Sequence, residues 1–463
     1  MELFGYYTVI LIGALLVFTA LGHIIYQKRS STSMISWMLF ILFMPYIAAP
    51  LYFLIGIRKR DPKHKKEFVA FENIKEYEDY SLEKYDHALV NILRKNGIPP
   101  ASRANRFELI TSDSVAYEKM MQEINNAQES IDIATYVFEF DSTTRTLVAA
   151  LTKKAQEGVK VRLLLDTVGS LGVYFKQKEF KALKEAGGKV AFFIPILTRP
   201  FQSYINLRNH RKIYLFDRTR LLSGGMNLSN EYLGPNDGTK RWKDLMYALE
   251  GPSVAHFYAI FKNDWEYATG EKLPSYAVTK SKFEGDNIVQ VVPSGPDIPK
   301  DALYEALLNA IYSATQRIWI VTPYFVPDEN IMQALIIARH KGLDVKLITP
   351  KHSDHLLTDV VRSSYMRELA KNDIDLVLYT GEMLHAKAIL IDTIGGMVGS
   401  LNIDNRSLFL NYEVITFVYS PQFIETMEAW MEELMQHSSR TLPSPSKIRE
   451  AFENIMKVFA PLV

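Results

Sequence analysis

The chain is 463 residues long, with 48% hydrophobic residues, 23% charged residues and a formal net charge of +1. Such a length suits two or three domains with a sizeable core, and the near-balance of charge argues against a nucleic-acid-binding protein, which usually carries a basic excess. The absence of cysteine excludes a disulfide framework, a thiolate zinc site, an iron–sulfur cluster and a cysteine nucleophile.

The N-terminus opens on two apolar runs. With histidine counted as neutral, no charge occurs from Leu3 to Gln27 or from Ser30 to Ile57. About 20 apolar residues cross a bilayer as a helix, so residues 1–60 read as two transmembrane helices. The short turn between them carries Lys28 and Arg29, and Pro45 and Pro50 predict a kink in the second helix. Glu2 and the lack of a basic segment ahead of the first run argue against a cleaved signal peptide. Arg58, Lys59, Arg60, Lys63, Lys65 and Lys66 follow the second run. Their excess over the turn places the rest of the chain on the cytoplasmic side, and the same cluster suits anionic lipid headgroups. Residues 61–105 read as a connector with one or two helices, closing at Gly97 and Pro99-Pro100.

From about residue 106 the sequence repeats itself. The first copy, 106–275, runs from IDIATYVF through TLVAALTKKAQEG to VKVRLLLD. The second, 276–463, runs from IWIVTPYF through IMQALIIARHKG to LDVKLITP and ends in a further helix. Strand, helix and strand in this order predict parallel βαβ units. Continuous apolar runs predict strands covered on both faces. The fold class is therefore α/β: two pseudo-symmetric domains with mainly parallel sheets, behind two transmembrane helices.

Each copy then reaches His-x-Lys-x-x-x-x-Asp: His210, Lys212 and Asp217 in the first, His385, Lys387 and Asp392 in the second. Seven residues after each Asp comes Gly-x-x-Asn, ending at Asn227 and Asn402. His and Lys two apart on a strand share a face. An imidazole beside an ammonium is a poor structural pairing that becomes sensible when an anion lies between them. The Asn and Ser side chains can donate to its oxygens. A cationic Lys beside each His also argues against a divalent metal.

These motifs carry a resemblance. With LLLDTVGS, NLRNHRKI, WKD at 242–244, EGPSV, SGPD, TPYFVPDE, LHAK and the terminal FAPLV, nearly the whole chain resembles the phospholipase D superfamily and, within it, the membrane-bound bacterial cardiolipin synthases. Met383 stands before LHAK where an aromatic is common. Ser400 stands where Thr is frequent, with Gly225 as its counterpart.

The resemblance implies one site between the two halves. One histidine attacks phosphorus and the other serves as acid and base. Lys212 and Lys387 neutralise the phosphate. Asn227, Ser400 and Asn402 add donors, Asp244 and Glu413 hold the imidazoles from behind, and Asp217 and Asp392 complete the motifs by steadying their turns. It implies no metal and no organic cofactor. Phosphatidylglycerol would be donor and acceptor, cardiolipin and glycerol the products, and no nucleic acid a partner. The residues alone do not separate transfer from hydrolysis. His210 is the expected nucleophile, by resemblance and because Arg208 and Arg211 flank it. Two further expectations are that FFIPILTRPF (192–201) helps admit lipid, and that an amphipathic helix from Lys447 docks on the catalytic body through Ile448, Ala451, Phe452, Ile455, Met456 and Phe459.

Overall fold

The structure is a computed structural model that describes residues 2–26, 31–55, 66–81, 87–196, 206–236, 240–275, 283–442 and 445–458. The first apolar run forms helix α1 (Glu2–Tyr26), about 37 Å long at 1.5 Å per residue. The second run departs from the expected single span. It forms α2 (Ser31–Phe43) and α3 (Pro45–Ile55), which fold back on each other. Trp37 and Tyr52 meet edge to face with ring centroids 5.1 Å apart; one straight helix would hold them about 22 Å apart. These helices are about 20 and 17 Å long, short of a hydrocarbon core of about 30 Å. The reversal falls where Pro45 takes the first position of α3, which needs no backbone donor. Pro50 is carried inside α3.

The hairpin packs Trp37, Ile41, Ala48 and Tyr52 against Ala20 and Ile24 of α1. Tyr46 lies against Gly13, midway along α1, and His23 Nδ1 is 2.7 Å from Tyr52 Oη. The tip therefore reaches the middle of α1, and the open end lies beside its C-terminal end. Among the described residues no helix is long and apolar enough to cross a membrane; the side chains of α1 are described without a break only over 10–26. Lys28, Arg29, Arg58, Lys59, Arg60, Lys63 and Lys65 lie outside the described residues.

Lys66, expected at a basic surface, is buried. Its Nζ is 2.5 Å from Asp264 Oδ1 and 2.6 Å from Asp297 Oδ2, with every partner side chain at 0% exposure. Arg211 reaches the same two carboxylates at 2.9 and 2.8 Å. Burial raises the Asp297 carboxyl, but Arg211 and Lys66 outweigh it and hold the group well below the usual carboxylate range.

Among the described residues, the body after the N-terminal helices is built mainly on two like sets of seven strands. The first set is β1 (Ala101–Ile110), β2 (Ser130–Thr135), β3 (Lys160–Asp166), β4 (Lys189–Phe193), β5 (Ile213–Phe216), β6 (Arg220–Gly224) and β7 (Met246–Glu250). The second is β8 (Asn287–Ser294), β9 (Arg317–Val321), β10 (Asp344–Pro350), β11 (Asp375–Tyr379), β12 (Ala388–Ile391), β13 (Gly395–Gly399) and β14 (Glu413–Val418). The spatial order is β1-β7-β6-β5-β2-β3-β4 in the first half and β8-β14-β13-β12-β9-β10-β11 in the second. The repeat in the sequence is thus a repeat of topology. β1 pairs with β8 at Ser102–Val289 and Asn105–Asn287, which joins the halves in one sheet.

The sheet is mixed, which corrects the expectation of mainly parallel strands. In each half β2-β3-β4 or β9-β10-β11 are parallel. The strands after the His motif return antiparallel, as do their neighbours. The reason is connection length. Helices such as Ser142–Gln156 supply the long crossover that parallel strands require, while Phe216 and Arg220 are joined by a turn too short for anything but a hairpin. Residues of both halves, among them Tyr247, Val289, Tyr412 and Val414, share one hydrophobic core.

Two peripheral expectations resolve differently. In FFIPILTRPF, Phe192 and Phe193 are buried at the end of β4, which is the role of a core strand rather than a lipid entrance; 197–201 lie outside the described residues. The terminal helix (Lys447–Val458) does dock on the body, against the helix Leu356–Lys371, but through charge. Glu453 is buried between Arg367 and Arg449, and Lys457 pairs with Glu368 at 3.0 Å. Met456 packs inward, whereas Ile448 and Phe452 are exposed, and the side chain of Ile455 and all of Phe459 lie outside the described residues.

Candidate active site

Each His motif begins in an extended segment just ahead of β5 or β12, and each segment is held by the other half. His210 N donates to Tyr412 O, and Tyr412 N donates to Arg208 O, both at 2.9 Å. In the mirror arrangement Lys243 N donates to Met383 O and His385 N to Lys243 O, both at 2.8 Å. The residue after each partner is the acid. Glu413 Oε2 is therefore 2.9 Å from His210 Nδ1, and Asp244 Oδ2 is 2.7 Å from His385 Nδ1. The histidine–acid pairs cross between the halves. All four side chains are at most 9% exposed.

The charges are arranged for an anion. Burial holds both imidazoles neutral. It depresses His210, with Glu413 opposing and Lys212 adding to the effect. Burial, then Lys387, brings His385 down to about 3. Burial and the charge of Lys387 push Lys212 down to about 7, and burial pushes Lys387 down to about 8. Burial raises Asp244 and Glu413, but Lys387 and His385 outweigh it at Asp244, as His210 and Lys212 do at Glu413, so both stay ionised. Two ammonium groups this ill at ease favour a ligand that brings negative charge.

Ring tautomers follow from the acids. Glu413 accepts the hydrogen bond of the Nδ1–H of His210, whose Nε2 forms no hydrogen bond among the described residues. At His385, Lys387 Nζ lies 2.6 Å from Nδ1 and 3.1 Å from Nε2. One ring nitrogen cannot both donate to Asp244 and accept from Lys387. The ionised carboxylate accepts the hydrogen bond of Nδ1–H, and the ammonium is left lying against the ring.

The remaining expected residues divide. Asp217 accepts from the backbone N of Gln128, Glu129 and Ser130. Asp392 accepts from that of Thr315, Gln316 and Arg317. Each lies beyond the far end of its strand, about 20 Å of extended chain from its histidine. They tie strand ends together at positive φ (51° and 50°) and do not line the site.

Ser400 does not face an open cleft either. Its Oγ donates to Glu413 Oε2 at 2.6 Å, and its backbone O is 3.1 Å from His210 Nδ1. Its counterpart must be glycine, because a Cβ at Gly225 would sit 2.1 Å from Asp244 Oδ1. Asn227 Oδ1 accepts from Val137 N at 3.1 Å, and Asn402 Oδ1 is buried with no partner among the described residues. Arg211, expected to charge the surroundings of His210, instead turns to Asp264 and Asp297.

Aromatic walls were not foreseen. Tyr136 packs edge to face on His210 at 4.9 Å, while Trp242, Tyr232 and Tyr324 surround His385 at 5.2, 5.2 and 6.4 Å. For two of them the signal was the repeat itself: Tyr136 and Tyr324 follow β2 and β9, the second strand of each set.

The family model described as the PLD-like domain of cardiolipin synthase matches residues 120–265 and 307–435, over half of the chain and both His motifs. This chain belongs to the PLD-like cardiolipin synthase family. A second family model, the phospholipase D-nuclease N-terminal segment, matches 15–56. The cardiolipin synthase of Clostridium perfringens is 31% identical over 94% of this chain and 95% of its own length. Cardiolipin synthase 1 of Bacillus cereus is 30% identical over 98% and 94%. The solved phosphatidylserine synthase of Haemophilus influenzae shares the fold, with a TM-score of 0.59 at 15% identity over 77% of this chain and 95% of that one. The two family models together reach the N-terminal hairpin as well as both halves.

Proposed function

We propose that this chain is a phosphatidyltransferase that joins two phosphatidylglycerol molecules into cardiolipin and glycerol. The observation that carries the reading is the crossed pair of histidine–acid couples around two depressed lysines, in a chain similar along its length to cardiolipin synthases. His210 Nε2 attacks the donor phosphorus, forming a phosphorus–nitrogen bond as the bond to glycerol oxygen breaks. His385, which takes up a proton on Nε2 as the anionic phosphate binds, gives that proton to the oxygen. It then takes a proton from the hydroxyl of a second phosphatidylglycerol, which displaces the imidazole. Lys212, Lys387 and the Asn402 amide carry the phosphate oxygens. Asp244 and Glu413 fix the ring tautomers, with Ser400 bracing Glu413. The bound phosphate draws the charge of Lys387 away from His385, which restores the basicity that the empty site suppresses. Purified protein in phosphatidylglycerol micelles should yield cardiolipin and glycerol, and a His385→Ala control none. Phosphatidic acid as the main product would make the enzyme a hydrolase.

Lipid binding raises the pKa of both lysines above their values of about 7 and 8 in the free site. Their contribution to binding is therefore complete below about pH 7 and fades as pH rises through 8 and beyond. Accordingly, kcat/KM for phosphatidylglycerol should fall above pH 8, mainly through KM. A flat KM from pH 7 to 9.5 would show that the lysines do not bind the phosphate.

The chain is held in the cell membrane with both catalytic halves on the cytoplasmic side. Supporting this are the 25-residue α1, uncharged after Glu2, and the basic residues that follow each apolar run. In this reading α1 crosses once and α2–α3 dips to mid-depth and returns, so both basic groups lie on one side and the N-terminus on the other. Because the chain has no cysteine, single replacements report cleanly. In intact cells an impermeant maleimide should label Glu2→Cys and spare Lys28→Cys. Two full crossings predict the reverse pattern.

A further inference from the structure

The reaction product carries two phosphodiesters joined through one glycerol. While one phosphorus is at the histidines, the phosphate of the accepting lipid has to lie one glycerol away. Nothing assigned so far holds it.

The segment leading to His210 is extended, so its side chains alternate. Asn209 and Arg211 point to one side, where both reach Asp264 at 2.9 Å. Arg208 therefore shares the other side with His210 and Lys212. Its guanidinium is 1% exposed, and among the described residues neither terminal nitrogen has a hydrogen-bond partner. Its one hydrogen bond runs from Nε to Leu207 O at 3.1 Å. The nearest carboxylate oxygen, Asp166 Oδ1, is 3.5 Å from a terminal nitrogen. That carboxylate is already committed, since it accepts from the backbone N of Val168, Gly169 and Asn209 at 2.9–3.1 Å.

A buried, charged fork with idle donors is rare in a folded protein, because such groups are ordinarily satisfied. Its planar donors match a phosphodiester better than a lysine does. The position is also fixed from the other half. Arg406 grips Asn206, at the start of the same segment, at 2.7 Å through its side chain and 2.8 Å through its backbone O. Ser170, just beyond Asp166, donates to Tyr136 O at 2.9 Å, and the Tyr136 ring covers His210. Arg208 thus sits at the edge of the His210 half-site, beside the aromatic wall.

We infer that Arg208 is the anchor for the second phosphodiester, that of the accepting phosphatidylglycerol and of the product. The inference rests on the phosphatidyl-transfer reading above. The two lysines serve the phosphorus being transferred, and Arg208 selects an acceptor that carries a phosphate over one that does not.

The test compares two acceptors in one assay. Phosphatidylglycerol micelles are supplied with labelled glycerol, and the rate of cardiolipin formation is divided by the rate of label exchange into phosphatidylglycerol. Exchange uses the same phosphatidyl-enzyme but an acceptor without phosphate. Arg208→Gln should lower that ratio at least about tenfold, as expected from losing charge-assisted hydrogen bonds. Arg208→Lys, which keeps the charge and loses the fork, should fall between. A wild-type ratio in both variants, with the two rates falling together or not at all, would overturn the assignment. If Arg208→Gln does not fold, the Lys variant decides, and an unchanged ratio there overturns it too. Wild-type protein that exchanges glycerol without making cardiolipin would instead refute the transfer reading, and this inference with it.

Discussion

Replacing either histidine with alanine is expected to lower phosphatidyl transfer by at least a hundredfold while the protein stays folded. Loss of positioned proton transfer alone costs about 10²–10⁴-fold, and loss of the nucleophile removes the covalent path altogether. No neighbouring group replaces either ring. Tyr136 is pushed up to about 12 by burial, and Tyr324 is raised further by burial and Asp354, so neither exchanges protons near neutral pH. The two variants should differ in what they trap. Quenching wild-type enzyme during turnover of labelled phosphatidylglycerol in alkali, where phosphohistidine survives, should place the label on His210. The warrant is geometric: His210 Nε2 forms no hydrogen bond among the described residues, whereas the Lys387 ammonium lies against the His385 ring, 2.6 Å from Nδ1 and 3.1 Å from Nε2. Label on His385 alone would exchange the two roles. Either variant retaining more than about a tenth of wild-type activity would remove its histidine from the mechanism.

The second large effect concerns the acids. Asp244→Asn and Glu413→Gln should each lower turnover by about 10²–10⁴-fold, because each carboxylate sets the tautomer of a ring and supports its charge. The crossing dictates which step each variant loses. Asp244 belongs to the first half but holds His385, the proposed acid; Glu413 belongs to the second but holds His210, the proposed nucleophile. A phosphatidyl donor with nitrophenolate as leaving group needs no acid for its first step. With that donor, Asp244→Asn should keep a rapid burst of nitrophenolate and Glu413→Gln should lose it. The opposite pattern would mean that each acid acts on the histidine of its own half.

What could be read from the sequence follows from what a repeat encodes. Both His motifs share one internal spacing and each follows a βαβ unit, so they were visible without coordinates; the acids share no offset, Asp244 lying 17 residues after Asn227 and Glu413 11 after Asn402, and only the resemblance marked them. The crossing was not, because an offset along the chain does not say which half a carboxylate faces. Asp217 and Asp392 belong to the motif by spacing, yet the positive φ at each turns it toward a neighbouring strand end. Lys66 looked like the end of a basic run, and only the fold reveals two carboxylates waiting for it. The second apolar run had the length and hydropathy of a span. The reversal at Pro45 depends on Trp37 finding Tyr52, a contact that hydropathy does not register. The terminal helix showed an apolar stripe, but docks through Glu453 because Arg367 sits opposite.

The crossed pairing also bears on how the cell makes this protein. An enzyme that breaks the phosphodiesters of phospholipids is a hazard if it works before it is finished. Here His210 lacks both its carboxylate and its backbone partner until Tyr412 and Glu413 have been synthesised and docked. His385 in turn is idle without Asp244 from the half that preceded it. A nascent or clipped chain therefore carries chemistry-bearing residues but no competent centre. Activity arrives only with the last act of assembly, and a proteolytic cut between the halves that let them part would switch it off at both histidines together.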